Sequence, residues 1–229
     1  MIAREQWNAI LAEGIKLLRE EDFTAATEKL ETIVKNDPSN AEAAYYLAIS
    51  YANEKEYDKA IPLFERIMPL LTEPVRVLQA HFLLGYIYAV RDMFELAELE
   101  LKEVISLGII NAQVYASLGY VYHKRKEYAL AVETLKKALA IDPVNGNAHN
   151  SLGFIMAEAG DDIDEAIKHI RDALDVSPEN PAYFDSLGWA YHKKGDIVNA
   201  RRYLMKAFQL APYHEEIKEH LRIVRQVTF

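Results

Sequence analysis

Histidine is the residue here that most invites a search for chemistry, since its ring can ligate a metal or carry a proton near neutral pH, and the chain has seven. Spacing decides what they can do. His214 and His220 are six residues apart, which puts them on different faces of a helix. His123 and His192 lie far apart, each followed by a lysine, with no carboxylate at ligand spacing. His81 and His149 hold equivalent places in a repeated unit and read as structural. No His-Glu-x-x-His pattern, phosphate loop or nucleophile elbow occurs. With no cysteine there is no disulfide, thiolate zinc site or cysteine nucleophile. The expectation is a non-enzyme with no catalytic residue, no metal and no cofactor.

The elements that would position these side chains announce themselves by repetition. Leu84-Gly85-Tyr86, Leu118-Gly119-Tyr120, Leu152-Gly153-Phe154 and Leu187-Gly188-Trp189 share the form Leu-Gly-aromatic, with glycines 34, 34 and 35 residues apart (119−85, 153−119, 188−153). Upstream, Gly14 precedes Ala48 by 34 residues and Ala48 precedes Gly85 by 37. A period near 34 marks an array of helix-turn-helix hairpins, each unable to bury its apolar face alone. Within residues 112–145, Tyr115, Leu118, Gly119 and Tyr122 form one helix face, Ala131, Leu135 and Ala138 another, and Pro143 closes the unit. Glycine and alanine at the contact let two helix backbones approach closely.

These residues resemble the tetratricopeptide repeat (TPR) family. Residues 181–214 carry its pattern through Phe184, Leu187, Gly188, Tyr191, Ala200, Leu204, Ala207 and Pro212. Residues 41–74 do so through Leu47, Ala48, Tyr51, Ala60, Phe64 and Ile67, and residues 78–111 through Leu84, Gly85, Tyr88, Ala97 and Leu101. Residues 146–180 fit with one inserted residue in the turn Gly160-Asp161-Asp162, and residues 7–40 fit through Gly14, Ala26 and Pro38. The expectation is all-α: a right-handed α-α superhelix of about six repeats (7–40, 41–74, 78–111, 112–145, 146–180, 181–214) in a single domain, 1–229. The segment 215–229, with Ile217, Leu221 and Val224 on one face, caps the array. Two departures stand out. Pro62, Pro69 and Pro74 replace the closing proline of the second repeat; Pro62 is tolerable in a first helical turn, whereas Pro69 should end its helix and lengthen the connection. The third repeat ends on Leu107-Gly108, a glycine stop.

The resemblance implies that the first helix of each repeat lines a concave groove. It then places Tyr86, Tyr120, Phe154 and Trp189 at one inner position of four successive repeats, and Tyr45, Phe82, Asn150 and Asp185 at another. His192 and Lys193 join them near the C-terminal end. An aromatic groove suits an apolar or aromatic-anchored peptide, extended or helical, with Asn150, Asp185, His192 and Lys193 tuning orientation. The alternative is that the rings pack internally, on a neighbouring repeat, on the chain's own terminus or on a second copy. The clamp by which some TPR domains grip acidic tails is absent, because Leu11, Ile15, Tyr45, Ile49, Phe82 and Tyr86 stand at its positions.

Totals narrow the partner. A formal charge of −9, from 35 acidic and 26 basic residues, argues against nucleic acid. No stretch approaches the ~20 apolar residues of a membrane span. Residues 1–20 lack the unbroken apolar core of a secretory signal, so a cytoplasmic chain is the default expectation. The reading is a protein- or peptide-binding scaffold. A self-assembling homo-oligomeric scaffold, or a cell-envelope assembly factor whose anchor is absent from this chain, are the alternatives.

Overall fold

A computed structural model describes residues 4–108 and 110–226, and among these every regular element is helical. The helices fall into two compact units, Met1–Gly108 and Ile109–Phe229. The first holds α1 (Arg4–Arg19), α2 (Phe23–Asn36), α3 (Ala41–Asn53), α4 (Tyr57–Ile67), a 3-10 turn at Met68–Leu70, α5 (Pro74–Val90) and α6 (Phe94–Ser106). The second holds α7 (Ala112–Lys124), α8 (Tyr128–Ile141), α9 (Gly146–Ala159), α10 (Ile163–Val176), α11 (Pro181–Lys194), α12 (Ile197–Leu210) and α13 (Glu215–Gln226). The first twelve helices pair into six antiparallel hairpins, and α13 is the expected capping helix. Its expected last residues, 227–229, lie outside the described residues.

Local chemistry explains the punctuation. Asn40, Asn145 and Asn180 cap helices by accepting backbone N–H bonds from Ala43, Ala148 and Ala182, each at 3.0 Å. Asp22, Asp162 and Asp196 do the same for second helices of hairpins, satisfying donors that a helix start leaves bare. Each hairpin turn also needs one residue in the left-handed region. Glu21, Lys55, Asp92 and Lys126 supply it at φ of 56 to 64°, and Gly160 and Gly195 do so in the last two hairpins.

The prolines of the second hairpin behave differently from expectation in one respect. Pro69 ends α4 as anticipated, lying in the 3-10 turn that follows it, and Pro74 opens α5. Pro62, however, is the sixth residue of α4, in its second turn rather than its first. It is exposed, so the carbonyl left without its helical N–H partner faces water, and the helix tolerates the lost bond. The glycine stop holds: Gly108 follows α6 at φ +87° and donates to the Ile105 carbonyl at 3.0 Å.

The hairpin core follows the repeat. Ala26, Ala60, Ala97, Ala131, Ala166 and Ala200 are all fully buried. Ala166 and Ala200 approach Gly153 and Gly188 of the paired helices through their carbonyl oxygens. A Cβ built on Gly14, Gly85 or Gly119 would have the side chain of Leu30, Leu101 or Leu135 as its nearest neighbour, at 2.7–3.0 Å. At Gly153 it would lie 2.4 Å from the Ala166 carbonyl oxygen, and at Gly188 it would lie 2.9 Å from the Leu204 nitrogen. The fifth and sixth hairpins therefore bring backbone against backbone. Tyrosines stitch successive hairpins: Tyr88 donates to Glu65 at 2.8 Å, Tyr51 donates to Glu31, and Tyr191 accepts from Arg171 at 2.6 Å. Burial, reinforced by the carboxylates, pushes the Tyr51 and Tyr88 phenols far up, so both stay protonated donors. At the C-terminal end, Ile217 of α13 packs with Phe184 and Ala207, and partly buried Leu174, Tyr203 and Phe208 close around them.

Candidate functional site

The expected groove residues do not share one environment. In the first unit Tyr45 is 2% exposed, so its ring belongs to the packing rather than to an open surface. Its hydroxyl donates to Gln79 at 2.7 Å, the Arg76 guanidinium lies 5.6 Å from its ring centre, and burial pushes its phenol up to about 12. The large ring is covered because the next repeat's α5 sets Arg76 and Gln79 against it. Phe82 is half-buried, whereas Tyr86 on the same helix is 47% exposed, one turn before exposed Val90.

In the second unit the helices α7, α9 and α11 line a cleft of about 250 Å³, closed on one side by the start of α13. Tyr120, His123 and Lys124 come from α7, Asn150 and Phe154 from α9, Asp185 from α11, and Glu216 from α13. Three-residue and four-residue spacings put Tyr120, His123 and Lys124 on one helix face, which is why α7 can offer all three. Tyr120 is exposed, with the Lys124 ammonium 5.4 Å from its ring centre. Phe154 is half-buried and meets His123 edge-on, with centroids 5.7 Å apart. Burial, helped by Lys124, lowers His123 from its ordinary 6.5, so its neutral ring is favoured. Two acceptors in the cleft walls, Asn150 Oδ1 and Asp185 Oδ1, are buried and have no donor among the described residues.

The rest of the expected C-terminal patch is engaged by the chain itself. His220 of α13 stacks on Trp189, with centroids 4.2 Å apart and planes 17° apart, and its Nδ1 lies 2.8 Å from Asp185 Oδ2. Asp185 is 6% exposed. The Trp189 indole N–H donates to Glu158, which also pairs with Lys193 at 2.9 Å. Burial pushes the Glu158 carboxyl up, but these two bonds and the Lys193 charge outweigh it and hold the group below its ordinary value. His192 lies beside the same indole, with centroids 5.0 Å apart and planes tilted by 41°, and its Nδ1 has no partner among the described residues. Burial and the Lys193 charge lower His192. Sequence reasoning placed α13 as a cap over the last hairpin but missed His220. It lies between Ile217 and Leu221 on the buried face, at helical spacing, and that was the available signal.

Known proteins agree with this architecture. The tetratricopeptide repeat model matches residues 11–69 and 157–215, and a TPR repeat model matches residues 119–160. A curated relative, TPR repeat-containing protein PA4667 of Pseudomonas aeruginosa, is 40% identical over 57 residues, which are 25% of this chain and 10% of that protein. The match thus spans about a tenth of the relative's length. Among solved structures, PilW, a widely conserved type IV pilus biogenesis factor, superposes with a TM-score of 0.77 at 19% identity, covering 96% of this chain and 100% of that one. YrrB, a TPR protein with an unusual peptide-binding site, superposes with a TM-score of 0.62 at 20% identity, covering 86% and 99%. Helical hairpins with glycine or alanine at their crossings are the units of a helical repeat array. The chain belongs to the TPR family.

Proposed function

We propose that this chain is a non-catalytic peptide-binding scaffold whose ligand enters the cleft of α7, α9 and α11. The observation that carries the reading is the pair of buried acceptors in the cleft wall, Asn150 Oδ1 and Asp185 Oδ1. A buried acceptor without a donor costs about 1–3 kcal/mol, so a ligand bearing N–H groups recovers what the free protein forgoes. A peptide backbone supplies such donors. Beside them Tyr120 and Phe154 offer an apolar shelf for one side chain, and His123, held neutral, adds surface without charge. Asp185 favours a peptide whose donor is cationic, such as a lysine, an arginine or a free amino terminus. Trp189, Lys193 and Glu158 lie outside the cleft lining, and their polar groups already satisfy one another.

Selection from a random peptide display library, repeated against Tyr120→Ala, tests the reading. Peptides captured by the wild type should bind that variant at least tenfold more weakly, about 1.4 kcal/mol. Tyr86→Ala, in the first unit, should leave binding unchanged. Captured peptides that bind Tyr120→Ala as well as wild type would place the site elsewhere. A mass that rises with concentration and falls on Tyr120→Ala would make a second copy the occupant.

A further inference from the structure

We propose that the α9–α10 hairpin carries a binding site for a divalent first-row transition ion, with Zn²⁺ as the reference, formed by His149, His169 and Asp172. The donor atoms of these three side chains lie within 4.8 Å of one another. His149 Nδ1 and His169 Nδ1 are 2.9 Å apart, and Asp172 Oδ2 is 3.9 Å from His149 Nδ1. Both rings are mostly shielded, at 13% and 18% side-chain exposure. The arrangement is built rather than accidental. His169 and Asp172 are three apart on α10 and so share a face, and His149 reaches them from the paired helix.

The outer atoms set the tautomers. His149 Nε2 lies 3.1 Å from the Pro143 carbonyl, which can only accept, so this nitrogen carries the proton and Nδ1 presents its lone pair. The carboxylate of Glu165 stands 3.9 Å from His169 Nε2, favouring the proton on that side also. Two imidazole lone pairs then converge on one point, which repels unless a proton or a cation lies between them. A carbonyl or carboxylate behind each ring is how metal-bound imidazoles are oriented. Imidazole–metal distances of about 2.0–2.1 Å put two tetrahedral nitrogens about 3.3 Å apart, so the rings need open by only about 0.4 Å. Two imidazoles and a carboxylate suit zinc, cobalt or nickel over calcium and magnesium, and three ligands leave one position for water or a partner's side chain.

The same place in other hairpins shows that the fold does not require this pair. Phe184 and Tyr203 stack there with planes 9° apart, and His81 meets Glu100 at 2.6 Å. Spacing along the chain does not disclose the site, because its two histidines are 20 residues apart on different helices and His149 falls at a packing position of the repeat.

Cobalt(II) titration of the tag-free, chelator-treated full chain, followed by visible absorption, is the test, with zinc competition to give the affinity. One equivalent should bind, with the intense absorption of a four-coordinate nitrogen–oxygen site, and zinc should displace it. Zinc should raise the melting temperature. His169→Gln and Asp172→Asn should each weaken binding at least tenfold, with unchanged helical circular dichroism, while His214→Gln should leave it intact. Absence of saturable cobalt uptake by the folded wild type would overturn the proposal and leave a proton shared between the rings. Uptake that survives both ligand variants would overturn it as well. If His169→Gln fails to fold, Asp172→Asn, at a residue more open to solvent, decides.

Discussion

Replacing Gly153 with alanine puts a methyl group where the fifth hairpin has no room. The added Cβ would sit 2.4 Å from the Ala166 carbonyl oxygen and 2.6 Å from the nearest carbon of Ile170. Ordinary contact begins about 1 Å further out, and the closest obstacle is backbone, so α9 and α10 must separate along their whole crossing. Overpacking of this kind costs about 1–3 kcal/mol and more where backbone must move; the better helix propensity of alanine returns about 1 kcal/mol. With the strain at the top of that range, a net loss of about 2 kcal/mol follows, or roughly 4–8 °C in melting temperature for a chain of this size. Gly119→Ala, in the same unit, is the internal control, since the atoms nearest its Cβ belong to the Leu135 side chain, the closest at 2.7 Å, and a side chain can shift where backbone cannot, so the propensity gain should offset most of the strain. Urea unfolding in a Trp7→Phe background, read by the fluorescence of Trp189, isolates the second unit. A Gly153→Ala protein as stable as its parent would refute the close backbone approach at the α9–α10 crossing.

Two further outcomes concern the C-terminal end. His220→Ala leaves the Asp185 carboxylate, 6% exposed, without its described partner, and should cost about 2–3 kcal/mol while shifting Trp189 emission to the red; adding Asp185→Asn should recover part of the loss, and an unchanged emission maximum in His220→Ala would show that α13 does not hold the indole. His123 and His192 both titrate below 6.5 in the folded chain, chiefly through burial. The unfolded chain therefore takes up protons first, and stability should fall as pH drops below about 6.5 toward the folded values; in chelator, melting curves from about pH 8 to about pH 5 should flatten in His123→Gln, and an identical slope would remove that ring from the account.

What the sequence discloses and what it withholds divide along a physical line. Glycine spacing and Asp-Pro or glycine stops act within a few residues of themselves, so the hairpins and their crossings were legible. The capping helix was legible too, because Ile217, Leu221 and Val224 share one face. Pro62 was misplaced by a turn, since nothing local marks where α4 begins: Glu56 makes no side-chain cap. The groove was legible as a set of positions but not as a surface. Whether a ring is open depends on what the following element lays over it: Arg76 and Gln79 cover Tyr45, and His220 covers Trp189. The His149–His169 pair stayed hidden for the same reason, because ligand spacing along the chain does not report a contact across a hairpin.

The central claim, a peptide seated in the cleft of the second unit, is tested most directly by hydrogen exchange of the full chain with and without a selected peptide. The account predicts new protection in α7 and α9 around Tyr120 and Asn150, and in the first turns of α11 and α13. Protection confined to the first unit, or to α8, α10 and α12, would contradict it.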